Sequence, residues 1–374
     1  MNCLITGGAG FIGSHTADLL AQQGHSIRIL DSLEPPVHPQ RKKPAYLSND
    51  FDFVHGSVSD KQALRSALSG IDTVFHLAAY QDYLTDFSKF AHVNDFGTAL
   101  LYEVIINERL PVKKVVVASS QAVYGEGKYE CPQHGVQYPS PRPLPQLTRR
   151  DWDIKCPVCQ EPMRSLPTDE SVVNPNNQYA VSKYCQELYA LKLGERYDIP
   201  TVLLRYSITQ GPRQSFFNAY SGILRTFSLQ LLNGRSPTIY EDGQQLRDYV
   251  HVSDVARANL LVMEKDAANY RAFNVGGGAV ATVLEYARLL ISQTRRTTEP
   301  TIGGQFRWGD VRHIRSDTTA LNSLGWKPAK TLAETAADYL AWVQSQPEAV
   351  DTSAHAAAVM RQMGVIRDSA PETA

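Results

Sequence analysis

Residues 2–13 of the chain read NCLITGGAGFIG, in which an apolar segment runs directly into a cluster of glycines. The apolar half predicts a buried strand, and the glycines predict the start of a helix that continues to about residue 23. Gly7 would permit a tight turn, Gly10 would let a pyrophosphate approach the backbone, and Gly13 would let the helix pack closely on the strand. A plain glycine-rich turn is the alternative, but the preceding strand favours a dinucleotide-binding loop.

An acidic residue stands where a ribose would be recognised. Asp31 ends the second apolar run, 18 positions after Gly13. Its carboxylate would accept hydrogen bonds from ribose hydroxyls and repel a 2′-phosphate, which favours NAD over NADP. Arg41, Lys42 and Lys43 follow closely and keep NADP open as an alternative.

Strand and helix patterns alternate through the first half of the chain. Residues 26–30, 73–76 and 113–118 are short apolar runs, and helical periods cover residues 60–68 and 86–109. Strands that are apolar on both faces are typical of a parallel sheet covered by helices on both sides. The sequence therefore predicts an α/β fold with a Rossmann-like, doubly wound parallel sheet.

Composition divides the chain into a large domain, a smaller domain, an insert and a tail. We expect a Rossmann domain that binds NAD over residues 1–205 and a smaller mixed α/β substrate domain over residues 206–345, partly interleaved with it. The insert spans residues 126–172, where proline recurs and no regular period survives. Residues 346–374 are alanine-rich and polar, which predicts a frayed C-terminal tail.

Charge and hydropathy exclude several classes of partner. Lys and Arg total 37 against 38 Asp and Glu, so no positive field exists to hold nucleic acid or an anionic membrane. No apolar run reaches about 18 residues, and no secretion signal is visible. Five cysteines in such a chain argue against a disulfide framework. We therefore expect a cytoplasmic protein whose partner is a small molecule.

Tyr179 and Lys183 form a Y-x-x-x-K pair at the start of residues 178–196, a good helix former. Side chains four positions apart lie on one face of a helix, so the phenol and the ammonium would be neighbours. A second pair with this spacing, Tyr124 and Lys128, spans two glycines that disfavour a helix. The alternative for Tyr179 is a surface tyrosine beside an ion-paired lysine.

A phenol needs electrostatic help to act as a base at neutral pH. Its ordinary pKa of about 10 lies roughly 3 units above pH 7, which corresponds to about 4 kcal/mol. An ammonium about 4 Å away, at an effective dielectric of about 20, supplies roughly 4 kcal/mol before desolvation is subtracted. Lys183 would thus suffice to make Tyr179 a catalytic base, helped by a positively charged nicotinamide ring.

The insert contains two knuckles typical of zinc sites. Cys131 and His134 are spaced C-x2-H, and Cys156 and Cys159 are spaced C-x2-C after a 21-residue spacer. This spacing matches a tetrahedral structural zinc site, and a metal would offset the entropy of ordering a proline-rich loop. Unrelated reduced thiols are the alternative. We assign no catalysis to the metal, because no open-site arrangement with a base is evident.

Several motifs occur together in one order along the chain, namely TGGAGFIG at 6–13, HLAA at 76–79, SSQAVYG at 119–125, YAVSK at 179–183 and RDYVHV at 247–252. As a set they resemble the extended short-chain dehydrogenases/reductases, and among these the chain is most similar to nucleotide-sugar epimerases. The resemblance covers roughly residues 1–345 apart from the insert. It implies an NAD-dependent enzyme that acts on a nucleotide-diphosphate sugar.

The resemblance also implies which residues form the site. Ser120 would hydrogen-bond the reacting hydroxyl beside Tyr179, and Lys183 would complete the catalytic set. The cofactor would be bound by Gly7, Gly10, Phe11, Ile12, Gly13, Asp31, Ser32, Ser57, Val58, Leu77, Ala78, Ala79, Asn94, Ser119, Tyr179, Lys183 and Tyr206. Substrate contacts would come from Gln121, Arg213, Asn218, Arg247 and Arg307. Arginines suit a diphosphate because the guanidinium makes bidentate, charge-assisted bonds. A solvated surface residue is the alternative for each.

Two positions narrow the reaction. Gln121 and Ala122 stand where related 4,6-dehydratases carry an Asp-Glu pair, and Ala122 also replaces a glutamate of related decarboxylases. Without these acids, elimination and decarboxylation are disfavoured and reversible oxidation at one carbon remains. We therefore expect a 4-epimerase that oxidises its substrate transiently to a 4-keto sugar and returns the hydride to the opposite face.

The substrate and the net reaction are left with alternatives. The insert and residues 211–215 resemble 4-epimerases of dTDP-L-rhamnose, which implies a dTDP-linked 6-deoxysugar. A UDP-glucose/UDP-galactose type of 4-epimerase, a net NAD-dependent dehydrogenase or reductase, and a silent NAD-binding regulator are the alternatives. The helices over 86–109 and 178–196 resemble those that pair in family homodimers, so a homodimer is expected.

Overall fold

The computed structural model describes residues 1–82, 85–218 and 222–370. Its strands are β1 Asn2–Thr6, β2 Ser26–Asp31, β3 Asp52–His55, β4 Thr73–His76, β5 Lys114–Ser120, β6 Tyr129–Cys131, β7 Gly135–Gln137, β8 Arg164–Ser165, β9 Thr201–Tyr206, β10 Ile208–Gln210, β11 Thr238–Ile239, β12 Leu246–His251, β13 Arg271–Val275, β14 Val280–Thr282, β15 Thr301–Ile302, β16 Phe306–Arg307 and β17 Ile366–Arg367.

The helices cover both faces of the main sheet and build most of the second domain. They are α1 Phe11–Gln22, α2 Lys61–Leu68, α3 Phe87–Phe90, α4 Gly97–Asn107, α5 Leu144–Thr148, α6 Gln178–Arg196, α7 Gly222–Leu232, α8 Val252–Glu264, α9 Val283–Gln293, α10 Thr319–Asn322, α11 Leu332–Gln344 and α12 Ser353–Gln362. No helix in the described ranges is both long and apolar enough to span a membrane.

The main sheet has seven parallel strands in the order β13-β9-β5-β4-β1-β2-β3. Separate apolar clusters pack on its two faces, one under α1 and α8 and the other under α2 and α4. The predicted Rossmann-like α/β class is therefore confirmed. The strand order reverses between β1 and β4, and ligands of such sheets bind in the crevice at the carboxyl ends of the strands at that point.

The helix expected over residues 86–109 is divided into three parts. A π-helical turn, Ala91–Phe96, separates α3 from α4. Such turns insert extra backbone and occur frequently at functional sites. A hydrophobic period read over 24 residues does not locate a turn of six, so the sequence predicted one continuous helix.

The C-terminal segment differs most from its expectation. In place of a frayed tail the structure has α12 and β17, and β17 pairs antiparallel with β16 of the second domain. The segment has no clear apolar face, which is why its sequence predicted a frayed tail. In the structure polar contacts hold it in place, because Arg235 and Arg225 in the second domain bind polar groups at residues 351–353. Residues 371–374 lie outside the described part of the chain.

Candidate active site

The glycine loop after β1 is packed too tightly to carry side chains. Gly7 has a φ of +69°, and a Cβ atom there would lie 2.8 Å from the backbone of Ala78 after β4. A Cβ at Gly13 would collide with the carbonyl oxygen of Gly7. The first turn of α1 therefore starts directly over the loop, with its backbone N–H groups available to an anion.

Asp31 holds this loop from the end of β2. The backbone N–H groups of Ala9 and Leu33 donate to its two carboxylate oxygens, at 3.0 and 2.9 Å. The Nε2 atom of His38 lies 4.0 Å from the carboxylate, and burial lowers the pKa of this histidine. The Asp31 carboxylate thus lies at the end of β2, where a ribose would be bound.

Two of the three basic residues that kept NADP open, Arg41 and Lys43, have other partners. Arg41 forms a two-pronged ion pair with Glu34, with nitrogen–oxygen distances of 2.9 and 3.1 Å. Lys43 donates to the backbone carbonyl of Ser48 at 2.9 Å. The local charge beside Asp31 therefore favours NAD over NADP.

The other expected cofactor residues lie in loops at the carboxyl edge of the sheet or in the elements around it. Gly10, Phe11, Ile12, Ser119 and Tyr206 line the large pocket of the molecule. Ser32 follows β2, Ser57 and Val58 follow β3, and Leu77, Ala78 and Ala79 follow β4. Val58 is buried and Ala79 is exposed, so they face different surroundings.

Asn94 and Tyr206 are tied into the protein by their polar groups. Asn94 lies in the π-helical turn, where its amide nitrogen donates to Ser182 Oγ at 2.8 Å and its amide oxygen accepts from Tyr80 N at 2.8 Å. Tyr206 lines the pocket with its ring while its hydroxyl donates to Asn259 Oδ1 at 2.6 Å. Both residues therefore shape the site from fixed positions.

Ser120 and Tyr179 meet in the wall of the pocket. Ser120 is the last residue of β5, and its Oγ accepts a hydrogen bond from the backbone N–H of Ala122 at 3.1 Å. Tyr179 lies in the first turn of α6, which the side chain of Asn177 caps by accepting from Ala180 N at 2.9 Å. The Tyr179 hydroxyl is hydrogen-bonded to Ser120. Strand end and helix start thus bring together the two hydroxyls that the sequence analysis selected.

Burial opposes ionisation of the tyrosine. It raises the pKa of Tyr179 to about 12, and the hydrogen bond with Ser120 counters part of the rise. The pKa of the phenol therefore lies roughly 5 units above pH 7, so ionisation at pH 7 costs about 7 kcal/mol of free energy. The sequence-based figure of about 4 kcal/mol was too small, because it started from a solvated phenol.

Lys183 is buried one turn further along α6. Its ammonium donates to the carbonyl of Ala118 at 2.8 Å and to Gln186 Oε1 at 2.9 Å. Burial lowers its pKa to about 7, and the charges of Glu187 and Asp95 oppose the shift. The lysine therefore lies at the carboxyl end of β5, and its pKa lies close to neutral pH.

The second Y-x-x-x-K pair has a structural role. The Tyr124 hydroxyl donates to Asn274 Oδ1 at 2.6 Å and accepts from Arg205 at 3.0 Å, and the ring is buried. Lys128 points elsewhere and binds Asp169, with a nitrogen–oxygen distance of 2.6 Å. The two side chains thus have separate partners, as the glycines between them indicated.

Sequence analysis missed a buried ion pair behind the catalytic candidates. Glu187 binds Arg205 on β9 through both carboxylate oxygens, at 2.9 and 2.7 Å, and accepts from Ser119 Oγ. Glu187 lies four residues after Lys183, as Lys183 lies four after Tyr179. Extending the spacing by one turn would have identified it. The pair fixes α6 against the carboxyl ends of β5 and β9.

The pocket extends from Ser120 and Tyr179 into the second domain and has a volume of about 700 Å³. Four of the five expected substrate residues line it, namely Gln121, Asn218, Arg247 and Arg307. Gln121 accepts a hydrogen bond from Ser207 Oγ at 2.6 Å. One pocket is thus lined both by the hydroxyl pair and by the residues expected to bind the substrate.

The three expected arginines have different surroundings. Arg247 donates to backbone carbonyls, including that of Val311 at 2.9 Å. Arg307 forms an ion pair with Asp310 at 2.7 Å. Arg213 forms an ion pair with Asp18 on α1 at 2.7 Å. Arg247 and Arg307 therefore line the pocket, whereas Arg213 is turned toward α1.

The C-terminal helix supplies lining residues that sequence analysis did not assign. Ala357, Met360 and Arg361 of α12 form part of the pocket wall. Arg361 donates to Gln305 Oε1 at 2.7 Å, beside the strand that carries Arg307. Helix α12 therefore forms part of the wall of the same pocket that Tyr179 lines.

Comparison with known proteins identifies the family. The model of the NAD dependent epimerase/dehydratase family matches residues 3–145 and 156–276. The chain belongs to that family. The residues left unmatched between the two segments lie within the insert, and the match resumes directly after them. The predicted membership of the extended short-chain dehydrogenases/reductases and nucleotide-sugar epimerases is confirmed at this level.

Relatives in the family include two kinds of named 4-epimerase. A dTDP-L-rhamnose 4-epimerase of Burkholderia thailandensis is 32% identical over 92% of this chain and 95% of its own length. A UDP-glucose 4-epimerase of Mycolicibacterium smegmatis is 32% identical over 89% of this chain and 96% of its own. The structure of UDP-glucose 4-epimerase from Thermotoga maritima with UDP-glucose is 30% identical, has a TM-score of 0.76, and covers 92% of this chain and 99% of the other.

Proposed function

We propose that the protein is an NAD-dependent nucleotide-sugar 4-epimerase. The observation that carries the proposal is a single pocket lined both by the hydrogen-bonded Ser120–Tyr179 pair and by Arg247 and Arg307. The glycine loop and Asp31 fit a dinucleotide, because the backbone is bare of side chains where a pyrophosphate would lie. NAD, when bound, supplies the acceptor that takes hydride from C4 of the sugar and returns it.

The protein's own residues move the proton and hold the substrate. Tyr179 takes the proton of the C4 hydroxyl, and Ser120 keeps that hydroxyl aligned with the phenol. Lys183 stabilises the phenolate by its charge, while Arg247 and Arg307 hold the diphosphate through charge-assisted bonds. The anchored nucleotide lets the 4-keto sugar turn its other face before the hydride returns, and Tyr179 then gives the proton back.

The environment of Gln121 supports epimerisation over elimination. The Gln121 amide oxygen accepts from Ser207 and offers no acid, and its neighbour Ala122 carries no polar group. Loss of water from the sugar needs an acid and a base beside C5 and C6. The two residues after Ser120 therefore supply neither the acid nor the base that elimination needs, and the proposed proton transfer is that of Tyr179.

A dTDP-linked 6-deoxysugar such as dTDP-L-rhamnose is the proposed substrate, and a UDP-glucose or UDP-galactose type is the second candidate. The relative from Burkholderia thailandensis favours the first and the Thermotoga maritima structure favours the second. A net dehydrogenase or reductase uses the same hydroxyl pair. It differs by releasing reduced cofactor in each turnover.

A panel of UDP-, dTDP-, GDP- and CDP-sugars, followed by NMR at C4, tests the proposal. We expect inversion at C4 for at least one member without accumulation of NADH. Stoichiometric NADH would instead identify a net oxidoreductase. Absence of inversion in every member, with the cofactor bound, would refute the proposed epimerase.

A second copy of this chain is proposed as its partner. Apolar side chains are exposed along the segment from α3 through the π-helical turn and along α6, namely Phe87, Phe96, Val181 and Leu188. These helices pack together through Asn94 and Ser182. Two copies would bury both apolar rows in one interface.

The five free cysteines agree with a reducing compartment such as the cytoplasm, and the net charge of −1 disfavours nucleic acid and membranes as partners.

Ala357→Glu is expected to raise KM for the nucleotide sugar about tenfold or more, with little change in kcat. Ala357 lines the pocket, so the new carboxylate would enter it and repel the diphosphate. Ala358→Glu is the matched control, because Ala358 is its exposed neighbour on the same helix. Steady-state kinetics of both variants check the result. Equal KM values for the two would exclude α12 from the substrate site.

The proposed chemistry needs no metal. Cys131, His134, Cys156 and Cys159 are absent from the described lining of the pocket. A zinc ion held by them would therefore be structural, and NAD is the only cofactor of the proposed reaction.

A further inference from the structure

The insert brings four potential metal ligands into one cluster. The Sγ atoms of Cys131, Cys156 and Cys159 and a ring nitrogen of His134 all lie within 4.8 Å of one another. Cys131 Sγ is 3.5 Å from His134 Nδ1 and 3.7 Å from Cys159 Sγ, and Cys156 Sγ is 3.6 Å from His134 Nδ1. The knuckles are 21 residues apart in sequence, so the fold itself creates this proximity.

These separations have the values that a tetrahedral zinc ion imposes. Zinc binds thiolate sulfur at about 2.3 Å and imidazole nitrogen at about 2.0–2.1 Å. Tetrahedral angles then require sulfur atoms about 3.8 Å apart and sulfur–nitrogen distances of about 3.5–3.6 Å. A disulfide requires sulfur atoms about 2.05 Å apart, which the 3.7 Å separation of Cys131 and Cys159 excludes. We propose that these four side chains bind one Zn²⁺ ion.

The local backbone is built around this cluster. Cys131 ends β6 and His134 lies in the turn to β7, while Cys156 and Cys159 form a second turn closed by a bond from Gln160 N to Cys156 O at 2.9 Å. Apart from the cysteines, the buried apolar cluster around these ligands consists of Tyr129, Ile154 and Met163. So small a core contributes little stability, and a structural zinc would contribute folding free energy directly.

The ion would fix a wall of the substrate pocket. Between the two knuckles lies Arg142, which is buried and binds both carboxylate oxygens of Glu241 at 2.8 and 2.9 Å. Arg312 of the second domain binds the same Glu241 at 3.0 Å, and its backbone N–H donates to Glu126 at the start of the insert at 2.8 Å. Glu241 lines the pocket. Buried charges therefore connect the metal site to the wall of the substrate pocket. This effect of the metal on substrate binding rests on the proposed function, whereas the metal site itself does not.

Metal analysis of protein purified without chelator tests the site. We expect one zinc per chain in the wild type and in Cys185→Ser, and almost none in Cys156→Ser. Cys185 is the matched control because it is a free, partly exposed cysteine outside the cluster. Less than about a tenth of an equivalent in freshly purified wild type, or equal zinc in all three proteins, would overturn the proposal.

Two measurements keep the test valid if Cys156→Ser folds poorly. Reconstitution of the wild type with cobalt is expected to give the intense visible absorption of a tetrahedral thiolate site, and only octahedral cobalt absorption would overturn the proposal. Removal of zinc from the wild type by chelation is expected to raise KM for the nucleotide sugar about tenfold while bound NAD is retained. An unchanged KM would remove the link to the pocket and leave zinc stoichiometry to decide the site.

Discussion

Tyr179→Phe is expected to lower kcat by about 10³-fold while NAD stays bound. The substitution removes the hydroxyl that is hydrogen-bonded to Ser120 and keeps the ring that fills the first turn of α6. The tyrosine of the second Y-x-x-x-K pair does not take its place, because the Tyr124 hydroxyl is committed to Asn274 and Arg205. Turnover and cofactor content, measured on the same preparation, separate lost chemistry from lost folding.

Tyr197→Phe is the matched control for this prediction. Tyr197 caps the other end of α6 and is exposed, so the same change there should leave kcat at the wild-type value. If Tyr179→Phe turned over as fast as Tyr197→Phe, Tyr179 would have no part in proton transfer.

Lys183→Met is expected to lower kcat by about 10²- to 10³-fold. Burial leaves the phenol about 7 kcal/mol from ionisation at pH 7. An ammonium within about 4 Å, at an effective dielectric of about 20, would supply about 4 kcal/mol of that amount. The rest must come from the hydrogen bond with Ser120 and from the positive charge of the oxidised nicotinamide. Phenolate and ammonium stabilise each other, so ionisation of Tyr179 also raises the pKa of Lys183 from its lowered value of about 7.

The pH profile distinguishes this role from a structural one. Loss of the ammonium leaves the pKa of Tyr179 higher in the complex, so the acid limb of kcat should move to higher pH by as much as about 3 units. Lys192→Met is the control, because Lys192 is an exposed lysine on the same helix that pairs with Glu195. A lowered kcat with an unmoved acid limb would make Lys183 a packing residue only.

Local patterns in the sequence predicted the parts of the site that depend on neighbours in the chain. The glycine loop needs only a strand followed by a helix, and Tyr179 and Lys183 need only one turn of α6. Their meeting with Ser120 was inferred from the family resemblance, since β5 and α6 are separated by the insert. The α/β class followed from strand composition and is confirmed.

Features set by contacts between distant segments escaped the sequence analysis. The π-helical turn around Asn94 is fixed by Tyr80 and Ser182, neither of which shares its helical period. Helix α12 is held by arginines more than a hundred residues earlier, so its own composition indicated only a tail. The cost of burying Tyr179 could not be read from sequence because it depends on what covers the phenol.

Deuterium placed at C4 of an accepted nucleotide sugar, with dTDP-L-rhamnose tried first, tests the central claim most directly. If Tyr179 removes only the hydroxyl proton and the hydrogen on carbon passes to NAD and back, the label stays at C4 in both epimers in ordinary water. NMR and mass spectrometry of the epimer mixture measure its retention. Inversion with loss of the deuterium to solvent would contradict transient oxidation at C4 and the role given to the Ser120–Tyr179 pair.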